Sequence, residues 1–213
     1  MNERLLIIDC ATPMLSLALF DDAHCIASHH EELGRGHAEA LLPRIAALPG
    51  GGRCDRILVD VGPGSFTGVR VGLAAATGLG FAWQVPVQGY GCLDLIAAMA
   101  RARHAPAEPF AVVMVGGHGE LFWALNSDDG PLTVQSSPIA QLADQIDASL
   151  LVGSGAQILI DAGARGRAIP LLPDARDVLL LPDALRALPP RPVYGRGADA
   201  KPMAGVSPGV AAS

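Results

Sequence analysis

The apolar positions change period several times in the first hundred residues, and those changes lay out a fold. Leu5-Leu6-Ile7-Ile8 is an unbroken apolar run closed by Asp9, the pattern of a strand buried on both faces. Residues 15–20 alternate, and the Asp21-Asp22 pair turns the chain into Cys25-Ile26-Ala27-Ser28. Two tight connections in so short a span predict an antiparallel meander. From 37 to 48 the spacing of Leu41, Leu42, Ile45 and Leu48 is helical and stops before Pro49-Gly50-Gly51-Gly52, with a kink or irregular turn expected at Pro43. Residues 56–61 and 85–89 read as further strands, and residues 69–83 and 92–102 as helices. The order βββαβαβα predicts a mixed sheet with helices packed on it, the order of a ribonuclease-H-like unit.

Residues 103–109 carry two prolines and read as a linker, after which the strand pattern restarts. Strands are expected at 110–115, 120–125 and 132–135, separated by Gly116-Gly117-His118-Gly119 and Asp128-Asp129-Gly130. A helix over 138–146, a strand over 150–152 and a helix-like stretch over 178–188 follow. The Pro/Gly/Ala-rich segment 197–213 is expected to be disordered. The second half therefore begins like the first but looks abbreviated. The expectation is a two-lobed α/β architecture, with an N-terminal lobe over 1–104, an eroded second copy over 105–196 and a tail over 197–213.

Composition narrows the chemistry. Of 213 residues, 50% are hydrophobic but only 4% aromatic, so the core is aliphatic and rich in alanine. Fourteen of the fifteen basic residues are Arg, and the one Lys is Lys201 near the C-terminus. That excludes a Walker-A lysine, a Schiff-base lysine or a Ser–Lys dyad from the folded body. A net charge of −6 argues against a chain that grips nucleic acid through its own phosphate contacts, leaving that task to a partner. The four cysteines have no C-x-x-C spacing, which argues against zinc. With no signal-peptide pattern at the start and no membrane-length apolar run, a cytoplasmic location with reduced thiols is expected.

The loop Gly62-Pro63-Gly64-Ser65-Phe66-Thr67-Gly68 lies between a buried strand and a helix start, where backbone amides can face an anion. Neither a Walker loop nor a G-x-S-x-G elbow fits it. The motif alone favours a structural turn, with glycines allowing close packing and Ser65 or Thr67 capping the helix. His37 lacks a partner histidine at position 41, which is Leu, and so reads as a solvated or capping residue. His118 is a turn residue. Asp9 and Asp60 both end strands, where they either form Asx turns or pair across the sheet for metal or general-base work. The helix over 69–83 has almost no polar face, so it is buried on every side within the chain or covered in part by another chain.

The strand ending in Asp9, the helix beginning His37-Ala38-Glu39-Ala40-Leu41-Leu42-Pro43, and the G-P-G-S-F-T-G-x-R-x-G run over 62–72 together resemble the TsaB/YeaZ family. So do Val85-Pro86-Val87 and Glu120-Leu121-Phe122-Trp123-Ala124-Leu125, and more loosely Pro192-Val193-Tyr194. The resemblance implies an actin-like (ASKHA, ribonuclease-H-like) fold and a role in making threonylcarbamoyladenosine in tRNA. It implies a non-catalytic subunit that docks on the TsaD-type transferase paralogue, with a TsaE-type ATPase joining and tRNA bound only through the complex. It also implies no independently bound cofactor, leaving nucleotide to the shared interface. Two departures stand out: the family's D-T-S after the first strand is Asp9-Cys10-Ala11-Thr12 here, and the turn after the second lobe's first strand is Gly116-Gly117-His118-Gly119. The partner face expected is His37, Leu41, Ile45, Val69, Gly72, Leu73, Ala76 and Gly80, with self-dimerisation of the isolated chain. The competing expectation is a nucleotide-dependent small-molecule kinase or phosphatase using Asp9 and Asp60.

Overall fold

In the computed structural model, which describes residues 3–106, 108–126 and 130–195, β1 (Arg4–Asp9) is the central strand of the first sheet. It pairs antiparallel with β2 (Met14–Asp21), which pairs with β3 (His24–Glu32), giving the expected meander. On its other side β1 lies parallel to β4 (Arg56–Asp60), and β4 to β5 (Val87–Tyr90), so the order is β3-β2-β1-β4-β5. Successive strand residues point to opposite faces, and here both faces are covered. Leu6 and Ile8 pack with Leu41 and Ile45 of α1 (His37–Ala46) and with Val69, Leu73 and Ala76 of α2 (Phe66–Trp83). Leu5 and Ile7 pack on the other side, with Tyr90, Leu95 and Met99. This double burial is why β1 is an unbroken apolar run. Pro43 lies inside α1, whose last turn still closes with Ala47 N–H donating to Pro43 O (3.1 Å).

The helix α3 (Cys92–His104) joins the lobes, its Leu93, Ile96, Ala97 and Ala100 packing in one core with Phe110, Val112 and Phe122 of the second sheet. That sheet contains β6 (Phe110–Gly117), β7 (Glu120–Asn126), β8 (Gln135–Pro138), β9 (Leu150–Val152) and β10 (Arg167–Ile169), with α4 (Ile139–Gln145) and α5 (Ala156–Asp161). Its order, β10-β9-β6-β7-β8, reproduces the first sheet strand for strand. The molecule thus has the two-lobed, actin-like α/β architecture, with two mixed sheets of ribonuclease-H-like order.

The second copy is abbreviated, as expected: β9 and β10 are only three residues each, and no α-helix among the described residues follows β10 as α3 follows β5. Two expectations need correction. The third strand of that lobe runs over 135–138, not 132–135, where Ser137 pairs with Leu121 and Ser136 with Phe122. The span 105–196 is not one lobe. Two 3-10 turns, Ala175–Leu180 and Asp183–Arg186, return to the first sheet and bury Ala175, Val178, Leu181 and Leu185 against Leu5, Ile7 and Leu58. This strap continues as a bridge between Leu188 and Gly89 and a Val193 N–H···O Val61 bond of 2.7 Å. It covers a face that would otherwise be bare. The tail expected over 197–213 lies outside the described residues. No helix among the described residues is long and apolar enough to cross a membrane.

Candidate functional site

The parallel pair β1 and β4 ends on two carboxylates, Asp9 and Asp60, whose residues are 0% and 1% exposed. Asp9 Oδ1 accepts from the Ala11 amide (3.2 Å) and Oδ2 from the Tyr90 hydroxyl (3.1 Å). Asp60 Oδ1 accepts from the Gly62 amide (2.6 Å), while its Oδ2 has no donor. Burial raises Asp9, with its hydrogen bonds opposing. Asp60 is pushed well above the ordinary carboxylate range, first by burial and then by the Asp9 charge beside it. Two buried acids this close do not both ionise, so a proton retained on Asp60 Oδ2 and donated to Asp9 satisfies the one orphaned oxygen. Tyr90 was not anticipated. Its signal was slight: one of only two tyrosines in the chain, at the end of a strand parallel to Asp60.

The Gly-rich loop packs onto this cluster. The Ser65 amide donates to Ala11 O (2.7 Å), and Ser65 is the N-cap of α2, its Oγ accepting from the Gly68 amide (3.2 Å). A Cβ on Gly64 would lie 2.2 Å from Ala11 O, and one on Gly68 2.0 Å from Cys10 O. The glycines are there for close approach to the turn after β1, and the turn reading stands.

Beside that turn a cleft of about 630 Å3 opens between the lobes. Thr12, Glu32, Ser65, Phe66 and Thr67 line one side, and Gly116, Gly117, His118 and Ser154 the other. The residues that line it suit a nucleotide's phosphates poorly. No Arg or Lys lines the cleft, Glu32 does, and the amides of Ala11, Met14 and Ser65 are already committed to Asp9, Thr12 and Ala11. Asp9 and Asp60, the residues the kinase or phosphatase expectation uses, are buried beneath the turn and held by the Ala11 and Gly62 amides and the Tyr90 hydroxyl. No group of three His, Cys, Asp or Glu able to hold a metal occurs among the described residues.

The expected partner face also changes. His37, Leu41, Ile45, Val69, Gly72, Leu73, Ala76 and Gly80 are all buried in their own lobe. His37 is neither solvated nor capping, for its Nε2 sits 3.2 Å from Met14 O. Gly80 packs so closely that a Cβ would lie 2.4 Å from Val87 Cγ2. The positions that α1 and α2 turn outward include Glu39, Leu42, Arg44 and Ala46 on α1, and Phe66, Thr67, Arg70, Ala74, Thr77, Gly78 and Phe81 on α2. At 100° per residue these α2 positions fall within a single face, while Val71, Ala75 and Leu79, half-buried, lie on a neighbouring side.

A solved structure from Pseudomonas aeruginosa, described as an uncharacterized protein with similarity to peptidase YeaZ, matches with a TM-score of 0.72. It is 30% identical and covers 91% of this chain and 100% of that one. The chain belongs to the TsaB/YeaZ family. YeaZ from the same organism matches at TM-score 0.71 and 27% identity, covering 90% and 99%. Residues 27–162 match the family model described as TsaD, tRNA N6-adenosine threonylcarbamoyltransferase. The Escherichia coli protein named tRNA threonylcarbamoyladenosine biosynthesis protein TsaB is 32% identical over 126 residues, 57% of this chain and 54% of that relative. The match thus spans about half the length of that curated relative. An uncharacterized Mycobacterium tuberculosis protein is 28% identical over 217 residues, 95% of this family member and 96% of its own length.

Proposed function

We propose that this chain is the non-catalytic partner subunit of the complex that makes N6-threonylcarbamoyladenosine in tRNA, docking on a TsaD-type transferase paralogue. The observation that carries the reading is the outward face of α1 and α2. Leu42 is 52% exposed and Phe81 78%, and between them Ala46, Ala74 and Gly78 present little more than backbone. Small residues let a second helix pair approach closely, and large ones at the margin supply contact area. The match to a transferase family model supports the rest, because a paralogue of the same fold would bring a similar helix pair to the contact. The sealed Asp9–Asp60 pair and the cleft without cations support a supporting rather than catalytic role. In this reading a TsaE-type ATPase joins the pair, tRNA is held through the complex in the cytoplasm, and nucleotide belongs to the shared interface. The isolated chain would use the same face for a homodimer.

The test is co-purification with the TsaD-type paralogue. Ala74→Arg adds a long charged side chain to the exposed face and should remove binding while the thermal melt stays within a few degrees of wild type. Retained binding overturns the docking face. Leu73→Asp, one residue away but buried, should instead unfold the lobe.

A further inference from the structure

Arg70 is the only charged residue on α2, and it is held in place. Its guanidinium carbon lies 3.4 Å from the centroid of the Phe66 ring and 5.6 Å from that of Tyr194. Its Nη2 donates to the Tyr194 hydroxyl at 2.9 Å. The two rings are themselves 6.0 Å apart and inclined by 33°. Phe66 comes from the first turn of α2, but Tyr194 arrives from the far end of the chain. The strap delivers it, anchored one residue earlier by the Val193 amide on Val61 O. Nothing about lobe stability requires this arrangement, since Phe66 is 59% exposed and Tyr194 52%. Among the described residues no carboxylate lies within ion-pair distance of Arg70.

A guanidinium carries five N–H donors in a planar fork. Stacking on the Phe66 ring fixes the plane, and the Tyr194 hydroxyl at the side occupies one donor, so an open edge is presented with its orientation already set. That edge lies on the same outward face as Ala74, Gly78 and Phe81. We propose that Arg70, clamped by Phe66 and Tyr194, is the receiving half of an intersubunit ion pair that accepts a carboxylate of the protein partner docked on this face. The proposal rests on the docking reading above and adds the residue that gives it orientation and charge selectivity. Aromatic rings beside an arginine are the composition that dominates binding energy at protein interfaces. Nucleic-acid phosphate is the weaker fit. A single cation on α2, on a chain of net charge −6 and with Glu32 in the adjoining cleft, supplies too little counter-charge to hold a polyanion.

The experiment measures the dissociation constant of the full chain with its TsaD-type paralogue from about 0.05 to 0.5 M salt. Arg70→Met keeps the apolar stem and should weaken binding about tenfold or more at low salt, flattening the salt dependence. Arg70→Glu should weaken it further. Tyr194→Phe, which removes only the hydroxyl that orients the fork, should weaken it a few-fold, and it serves as the second variant should an Arg70 variant fold poorly. If both Arg70 variants bind within twofold of wild type while Ala74→Arg does not bind, the docking face stands and the anchor is overturned. If Ala74→Arg also binds normally, or wild type does not bind, the docking reading falls and the anchor with it. Unchanged protein affinity with weakened tRNA retention by the complex assigns Arg70 to phosphate and overturns the proposal.

Discussion

Replacing Asp60 by asparagine should make this protein more stable at neutral pH. Asp60 is buried beside Asp9 and its carboxyl is pushed well up by burial and by the Asp9 charge. A carboxyl raised in the folded state binds its proton more tightly there than in the unfolded chain. The stability it contributes is complete below the unfolded value near 4 and is lost as pH rises through the folded value. Asp9 is raised in the same direction, so the pair acts together. Retaining one proton at pH 7 on a group whose unfolded value is about 3.9 costs at most about 4 kcal/mol. Asparagine removes that cost while keeping the geometry. Its Oδ1 can still accept from the Gly62 amide, and its Nδ2 donates to Asp9 where the proton would have been. Asp9, ionised, then has three donors, counting the Ala11 amide and the Tyr90 hydroxyl. The expected gain is about 1–3 kcal/mol at pH 7–8, shrinking toward zero near pH 4. Urea titrations of both proteins from pH 4 to 9 measure it. A wild-type curve that rises across that range, or an Asp60→Asn curve parallel to it, refutes the shared proton.

Two glycines of the same helix should respond to alanine with opposite signs. A Cβ on Gly68 meets Cys10 O at 2.0 Å, so Gly68→Ala should cost about 3 kcal/mol or more in a denaturant titration, whereas Gly78, with nothing within 4 Å, should gain about 0.5–1 kcal/mol. The thiols should separate as sharply toward a disulfide reagent. Cys25, exposed, should react first, Cys54, raised to about 11 by burial, more slowly, and Cys10 and Cys92, both buried and raised, only on unfolding. Early modification of Cys92 would contradict the sealed cluster.

The first lobe was legible because its strands are buried on both faces, and the hydrophobic period there leaves little choice. Leu5–Ile8 admits no surface, and the meander follows from two short turns. The second lobe was read only in part. Strands of three residues, such as Arg167–Ile169, carry no period long enough to detect, and α5 has six residues. The strap was misassigned because Ala175, Val178, Leu181 and Leu185 have helical spacing but no signal for which sheet they meet. Only the bare face left by α3 on the first sheet decides it, and that is a property of the assembled lobe.

The partner face was misread for a physical reason. In α2 the apolar residues go nearly all the way round, so hydrophobicity alone does not orient it, and the small residues that permit close packing occur on both sides. Gly80 is small because β5 presses on it, whereas at Gly78 and Ala74 nothing does. The orienting signal was in the few polar positions. Thr67, Arg70 and Thr77 lie within one outward sector at 100° per residue, opposite the buried Gly72 and Ala76. An arginine on an otherwise apolar helix needs solvent or a partner, and the chain spends one of its two tyrosines, carried in by the strap from the far end of the first sheet, to hold that arginine still. Immobilising an exposed side chain costs conformational entropy that the ring contact and one exposed hydrogen bond offset only in part. On the docking proposal the remainder is offset when a partner's carboxylate binds the fixed edge, so Arg70, rather than the inward-facing stripe, is the position at which to test it.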